Sequence, residues 1–110
     1  MGYTHYFNFK KGTEEFPTKF VEDVKKVLEG KERYIQLEFD EKKPIMVNEK
    51  MICFNGKGKN GHETFLLTPE KVKFGFCKTA RKPYDLYVCL VLALAKHHFG
   101  DEFELSSETF

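Results

Sequence analysis

The chain opens in alternation. In YTHYFNF, Tyr3, His5, Phe7 and Phe9 fall on one side, and Thr4, Tyr6 and Asn8 on the other. That is the period of a half-buried β-strand. The polar run KKGTEE ends it. From Pro17 to about Glu29 the period changes. Phe20, Val21, Val24, Val27 and Leu28 recur at helical spacing, Glu22, Asp23, Lys25 and Lys26 form a solvated face, and Gly30 is the stop. RYIQLEF resumes strict alternation, with Ile35, Leu37 and Phe39 inward, and DEKKP reads as a turn. KMICFNG and HETFLL are two short strands around GKGKNG, whose glycines and Asn60 suit positive φ. KFGFC is a further strand, in which Gly75 marks a bulge or a close backbone approach. Leu86 to Ala95 is apolar at ten consecutive positions. That is half of the roughly 20 residues a membrane span needs, so it predicts a helix buried on most sides. The helix is expected from Pro83 to about His98, with Leu90 and Leu94 among its buried residues. FELSS adds a last edge strand.

Strand, helix, several strands, then helix favours an α+β domain: an antiparallel sheet of about five or six strands with two helices packed on it. Its 110 residues are enough for one domain with a serviceable core, spanning 1–110. Hydrophobic residues at 41% and charged residues at 32% are ordinary for a folded chain. The formal charge of +1 supplies no global field toward polymeric nucleic acid or a membrane, so any anion site must be local. Twelve Phe and five Tyr are a heavy aromatic load, most of it expected in the core. Cys53, Cys77 and Cys89 are an odd count without C-x-x-C spacing, which fits a reducing cytoplasm better than a disulfide framework or a zinc ribbon. MGYTHYFNFKK has neither the basic nor the apolar region of a signal peptide, and Tyr6 stands where myristoylation expects Ser or Thr.

One local anion site stands out. FCKTARKPYDL gathers Lys78, Thr79, Arg81 and Lys82 just ahead of the apolar helix. Pro83 suits a first helical turn, where a missing N–H costs nothing. The amides of Tyr84 and Asp85 would then lie at the positive end of the helix dipole, with cations beside them to hold phosphate. The plain alternative is a solvated basic loop in which Lys82 or Arg81 pairs with Asp85.

A second cluster is FNGKGKNGHETF. Asn55, Gly56, Gly58 and Gly61 make a loop whose amides could contact an anion, or simply a hairpin turn. On a strand, His62 and Thr64 would share one face. Two-histidine phosphoesterases use such a His-x-Thr, with His as acid and base and Thr on a phosphate oxygen, but they need two copies. No second His-x-Thr or His-x-Ser exists here, so no catalytic set is complete. No zincin spacing follows His62-Glu63, and His97-His98 point to different sides of a helix. A metal site from His5, His62 and one of that pair would need tertiary coincidence. A Cys77–His62 nucleophile pair competes with Cys77 as a small buried hydrophobe. At the N-terminus, Tyr3 and Tyr6 on opposite faces, with His5 beside Tyr3, are parts for stacking a base while a basic loop holds its phosphate.

MGYTHYF, FNGKGKNGHETF and FCKTARKPYDLYVCLVLALAKHH together cover over a third of the chain. They resemble the motifs of a small protein family scattered through phages and prophages. Small phage proteins of this kind are similar, in size and make-up, to viral sponges of the anti-CBASS type, which sequester the cyclic nucleotides of bacterial antiphage signalling. The resemblance implies immune evasion in the bacterial cytoplasm, by binding a cyclic dinucleotide or related phosphorylated nucleotide without cleaving it. It implies no cofactor and no catalytic or metal residues. A small domain has little room for an enclosed pocket, so burial of the ligand between subunits of a homo-oligomer, dimer or tetramer, is expected. The residues expected at the ligand are Tyr3, His5, Tyr6, Asn55, Gly56, His62, Thr64, Lys78, Thr79, Arg81, Lys82 and Tyr84. Two other classes stay open: a small phosphoesterase using His62 and Thr64, and an interaction module that blocks a host defence enzyme.

Overall fold

A computed structural model describes residues 3–37, 43–72 and 75–109. In chain order the elements are β1 (Tyr3–Phe9), α1 (Thr18–Leu28), β2 (Ile35–Gln36), β3 (Met46–Val47), β4 (Ile52–Gly56), β5 (Phe65–Leu67), β6 (Phe76–Lys78), α2 (Asp85–Phe99) and β7 (Phe103–Thr109). The fold is α+β, as the sequence order indicates. The strands, however, form two antiparallel sheets rather than one. In the first, β1 lies between β6 and β7; in the second, β4 pairs with β2, β3 and β5. The break falls after β5, where the carbonyl of Pro69 accepts from the Thr13 amide and the chain leaves the ladder of β4.

The alternation of β1 translates into burial. His5, Phe7 and Phe9 are buried on the face toward the helices, joined by Cys77 on β6 and Phe103 on β7. Phe7 meets Phe65 edge-to-face with ring centroids 5.5 Å apart, which ties the two sheets together. In α1, Phe20, Val21, Val24 and Leu28 are buried and Val27 packs at the margin. Gly30 follows at φ +74°, a conformation that suits glycine at a helix end.

Two expectations change. Leu37 is only partly buried and its neighbour Gln36 is buried, while Phe39 lies outside the described residues. In α2, Tyr87, Val88, Val91, Leu92 and Ala95 are buried, whereas Leu90 is 39% exposed and Leu94 only packs at the edge of the core. An uninterrupted apolar run gives no phase, so spacing alone placed Leu90 on the wrong side. Leu86, Leu90 and Ala93 instead form an exposed apolar stripe. Among the described residues, no helix is long and apolar enough to cross a membrane.

Gly75 is a close approach. Phe7 N–H donates to its carbonyl at 3.0 Å, and a Cβ at Gly75 would stand 2.1 Å from the Phe7 carbonyl oxygen. Because both partners are backbone, relief requires β6 to move away from β1. Gly75→Ala is expected to cost about 1–3 kcal/mol, the usual range for overpacking. Hydrogen exchange would show the Phe7 amide losing protection first; unchanged protection would contradict this geometry.

Candidate functional site

The residues that sequence placed near a ligand divide into three groups. The first is mostly buried and holds loops. Asn55 is fully buried; its Oδ1 accepts from the Gly56 and His62 amides at 2.7 and 3.0 Å, and its Nδ2 donates to the His62 carbonyl and Thr64 Oγ1 at 3.0 and 3.1 Å. One side chain thereby clasps both ends of the 56–62 loop. Gly56 is required because a Cβ there would meet the Asn60 carbonyl oxygen at 2.3 Å. Gly58 takes positive φ (+55°), while Asn60 does not. The loop is therefore a compact turn, not a flexible cradle, and the amides of Gly56 and His62 are already engaged. The same clasp keeps His62 and Thr64 out of the strand, which starts only at Phe65. The shared strand face expected of His62 and Thr64 is not formed: His62 is exposed and Thr64 is bound to Asn55.

Tyr84 is also fully buried. Its hydroxyl donates to the Glu63 carbonyl at 2.6 Å, and Glu63 Oε1 accepts from the Lys78 amide at 2.9 Å, which docks the loop on β6. Burial, reinforced by neighbouring negative groups, raises the Tyr84 hydroxyl above the ordinary phenol range. Burial likewise pushes the Cys77 thiol up to about 12, and its Sγ donates toward the Glu63 carbonyl. Cys77 is a packed thiol rather than a nucleophile paired with His62.

The second group is a polar hub between β1, α2 and β7. His5, 2% exposed, places Nε2 2.7 Å from Asp85 Oδ1 and Nδ1 2.6 Å from Ser107 Oγ. A carboxylate oxygen accepts, so Nε2–H donates to Asp85, and Nδ1 shares a hydrogen bond with the Ser107 hydroxyl. The buried Thr79 hydroxyl donates to the same Asp85 Oδ1. Cys89, one helical turn on, has Sγ 3.6 Å from Asp85 Oδ2 and 3.6 Å from His5 Nε2. Burial, then the Asp85 charge, pushes its thiol up to about 11. The Asp85 side chain is thus the shared partner of His5, Thr79 and Cys89.

The third group is exposed or half-buried. The Thr79 carbonyl accepts from Lys82 N–H at 3.0 Å across Ala80 and Arg81, which take φ +53° and +56°. This is a type I′ turn built without glycine, and each such residue carries roughly 1–2 kcal/mol of strain. The turn sets the Arg81 guanidinium over the Tyr3 ring, 4.8 Å from its centroid, and Tyr3 in turn meets His5 edge-on. Asp85 N–H donates to the Lys82 carbonyl at 2.8 Å, so one of the two amides expected at the anion-binding helix end is spent. Lys78 pairs in register with Thr4 on the opposite face of the sheet, beside Tyr6 and the 41% exposed Phe76. The basic run is therefore split between two faces.

Sequence reasoning missed Ser107 and Cys89 and saw Asp85 only as a counter-ion. The available signal was the i, i+4 spacing of Asp85 and Cys89 at the start of a helix, opposite an inward histidine. No family model, curated protein or solved structure matches this chain.

Proposed function

We propose that the protein binds a phosphorylated nucleotide, of the cyclic dinucleotide class, and sequesters it without cleavage. The reading rests on Arg81. A strained turn holds an exposed guanidinium against an aromatic ring, and left-handed non-glycine residues cluster where a side chain must be aimed. Arg81 and Lys82 would grip a phosphate while Tyr3 offers an aromatic edge. Across the sheet, Lys78 with Tyr6 and Phe76 is a second aromatic–cation set. Two such sets on opposite faces suit a ligand with two bases and two phosphates shared between copies, and the exposed Leu86–Leu90–Ala93 stripe supports such an assembly. The resemblance to phage proteins supports a role in immune evasion within a bacterial host.

Arg81→Ala is expected to weaken binding about tenfold to a hundredfold, the loss of roughly 1.5–3 kcal/mol from a charge-assisted contact. Lys25→Ala, on the solvated face of α1, should leave affinity unchanged. Titration against a panel of cyclic nucleotides, with light scattering on the same samples, measures affinity and assembly together. The ligand should be recovered intact after heat denaturation. Equal affinity in wild type and Arg81→Ala would remove the basis of the proposal.

A second reading has its own observation. Ser107, His5 and Asp85 are hydrogen-bonded in the order of an activated hydroxyl, its base and an orienting carboxylate. Conversion of the nucleotide that disappears in Ser107→Ala would assign a hydrolase.

A further inference from the structure

We infer that His5, Asp85 and Cys89 form a three-ligand site for zinc or a similar divalent transition metal. The three donor atoms lie within 4.8 Å of one another. Zinc bound by Cys sulfur at about 2.3 Å, and by His nitrogen or carboxylate oxygen at about 2.0–2.2 Å, requires tetrahedral donor–donor edges of about 3.3–3.6 Å. Cys89 Sγ stands 3.6 Å from His5 Nε2 and 3.6 Å from Asp85 Oδ2. Both edges that include sulfur are therefore already set for a common metal. His5 Nε2 is 2.7 Å from Asp85 Oδ1, so this hydrogen bond has to open for Nε2 and Oδ2 to share a metal with the sulfur.

The surroundings match those of metal ligands. A ligating histidine almost always donates its other ring N–H to a fixed acceptor, and a ligating carboxylate is itself hydrogen-bonded. Ser107 Oγ lies 2.6 Å from His5 Nδ1, and the buried Thr79 hydroxyl donates to Asp85 Oδ1, which leaves Oδ2 on the Cys89 side. On binding, the imidazole proton sits on Nδ1 and is donated to Ser107, whose own hydrogen turns outward. Cys89 loses its proton to solvent. One carboxylate, one thiolate and a neutral imidazole then balance a dication. Asp85 and Cys89 are both only partly buried, so the fourth position opens toward solvent and takes water, as in sites with three protein ligands. The mixed N, O and S donors select zinc over magnesium or calcium. None of its donors is one of the cations at Arg81, Lys82 or Lys78 that the nucleotide reading rests on, although it shares His5 and Asp85 with the hydrolase reading.

Cobalt(II) added to chelator-stripped protein reports both geometry and donor type. The expected result is one cobalt per chain, with the intense visible bands of a tetrahedral ion and a near-ultraviolet thiolate-to-metal band. Zinc should displace it. Cys89→Ser should remove the near-ultraviolet band, and Ser107→Ala, at an exposed position that should leave the fold intact, should weaken zinc binding about tenfold to a hundredfold. Circular dichroism of both variants confirms folding. Weak six-coordinate bands, bands that survive Cys89→Ser, or no cobalt retained by the wild-type protein would each overturn the assignment. Unchanged zinc affinity in a folded Ser107→Ala protein would do the same.

Discussion

Phe20→Ala is expected to lower stability by about 3–5 kcal/mol, the range for deleting a buried phenyl ring. Phe20 is fully buried at the junction of α1 and α2, with ring centroids 5.1 Å from both Phe16 and Phe99 and 5.4 Å from His98. These rings belong to different segments, so none can follow the others into the vacated space without moving a helix. Alongside them His98 Nε2 lies 2.8 Å from Asp23 Oδ2, and this bond, followed by that from Lys19, holds the Asp23 carboxyl below its ordinary range. A depressed carboxyl contributes stability that is complete above its ordinary range and fades as pH falls through its folded value. Leu90→Ala provides the contrast: a 39% exposed side chain should cost far less than the roughly 2–5 kcal/mol of a buried leucine. Urea titrations of both variants check the pair. Similar losses in the two would mean that α2 is rotated about its axis.

The other large effect is expected at Asp85. Asp85→Ala deprives the buried His5 Nε2–H and Thr79 hydroxyl of their acceptor, and each orphaned donor costs about 1–3 kcal/mol. A total of roughly 2–6 kcal/mol follows from those values. Asp85→Asn keeps an acceptor oxygen and should lose less. The same substitution carries a signature that simple destabilisation would not produce. Because the Asp85 charge is one of the causes that push the Cys89 thiol up to about 11, its removal should bring that thiol back toward the ordinary cysteine range. The rate of alkylation at Cys89 against pH measures this. A pH profile identical in wild type and Asp85→Ala would show that the carboxylate does not act on the thiol.

What the sequence revealed follows the range of each interaction. β1, α1, α2 and β7 were legible because hydrophobic period and helix-stop signals act over a few residues, and the close approach at Gly75 was legible because glycine inside a strand pattern has few other uses. The phase of α2 was not. With ten apolar residues in a row, only the shapes of the sheet and α1 decide that Leu92 is buried and Leu90 is not. The division into two sheets was hidden for the same reason, since it depends on which strands find each other. At the candidate site, Arg81 and Tyr3 were both singled out, but their stacking depends on a turn that two non-glycine residues would not ordinarily predict. The hub was illegible. His5 is separated from Asp85 by 80 positions and from Ser107 by 102, so no local pattern links them.

The central place of β1 bears on how the chain is made. During synthesis Phe7 and Phe9 leave the ribosome before β6 and β7, so the ladder on one side of β1 waits for β6 and on the other for residues 103–109. Nascent β1 therefore emerges with two unpaired edges and two phenylalanines that have nothing to bury against. Pairings between remote segments are slow to form, and the intermediates that precede them are prone to aggregate. The second sheet, built from neighbours between residues 35 and 67, can assemble first and shelter Phe7 through Phe65. Slow translation between β5 and β7 would lengthen the exposure of β1, whereas the charges of the KKGTEE segment that follows it would oppose association during that interval.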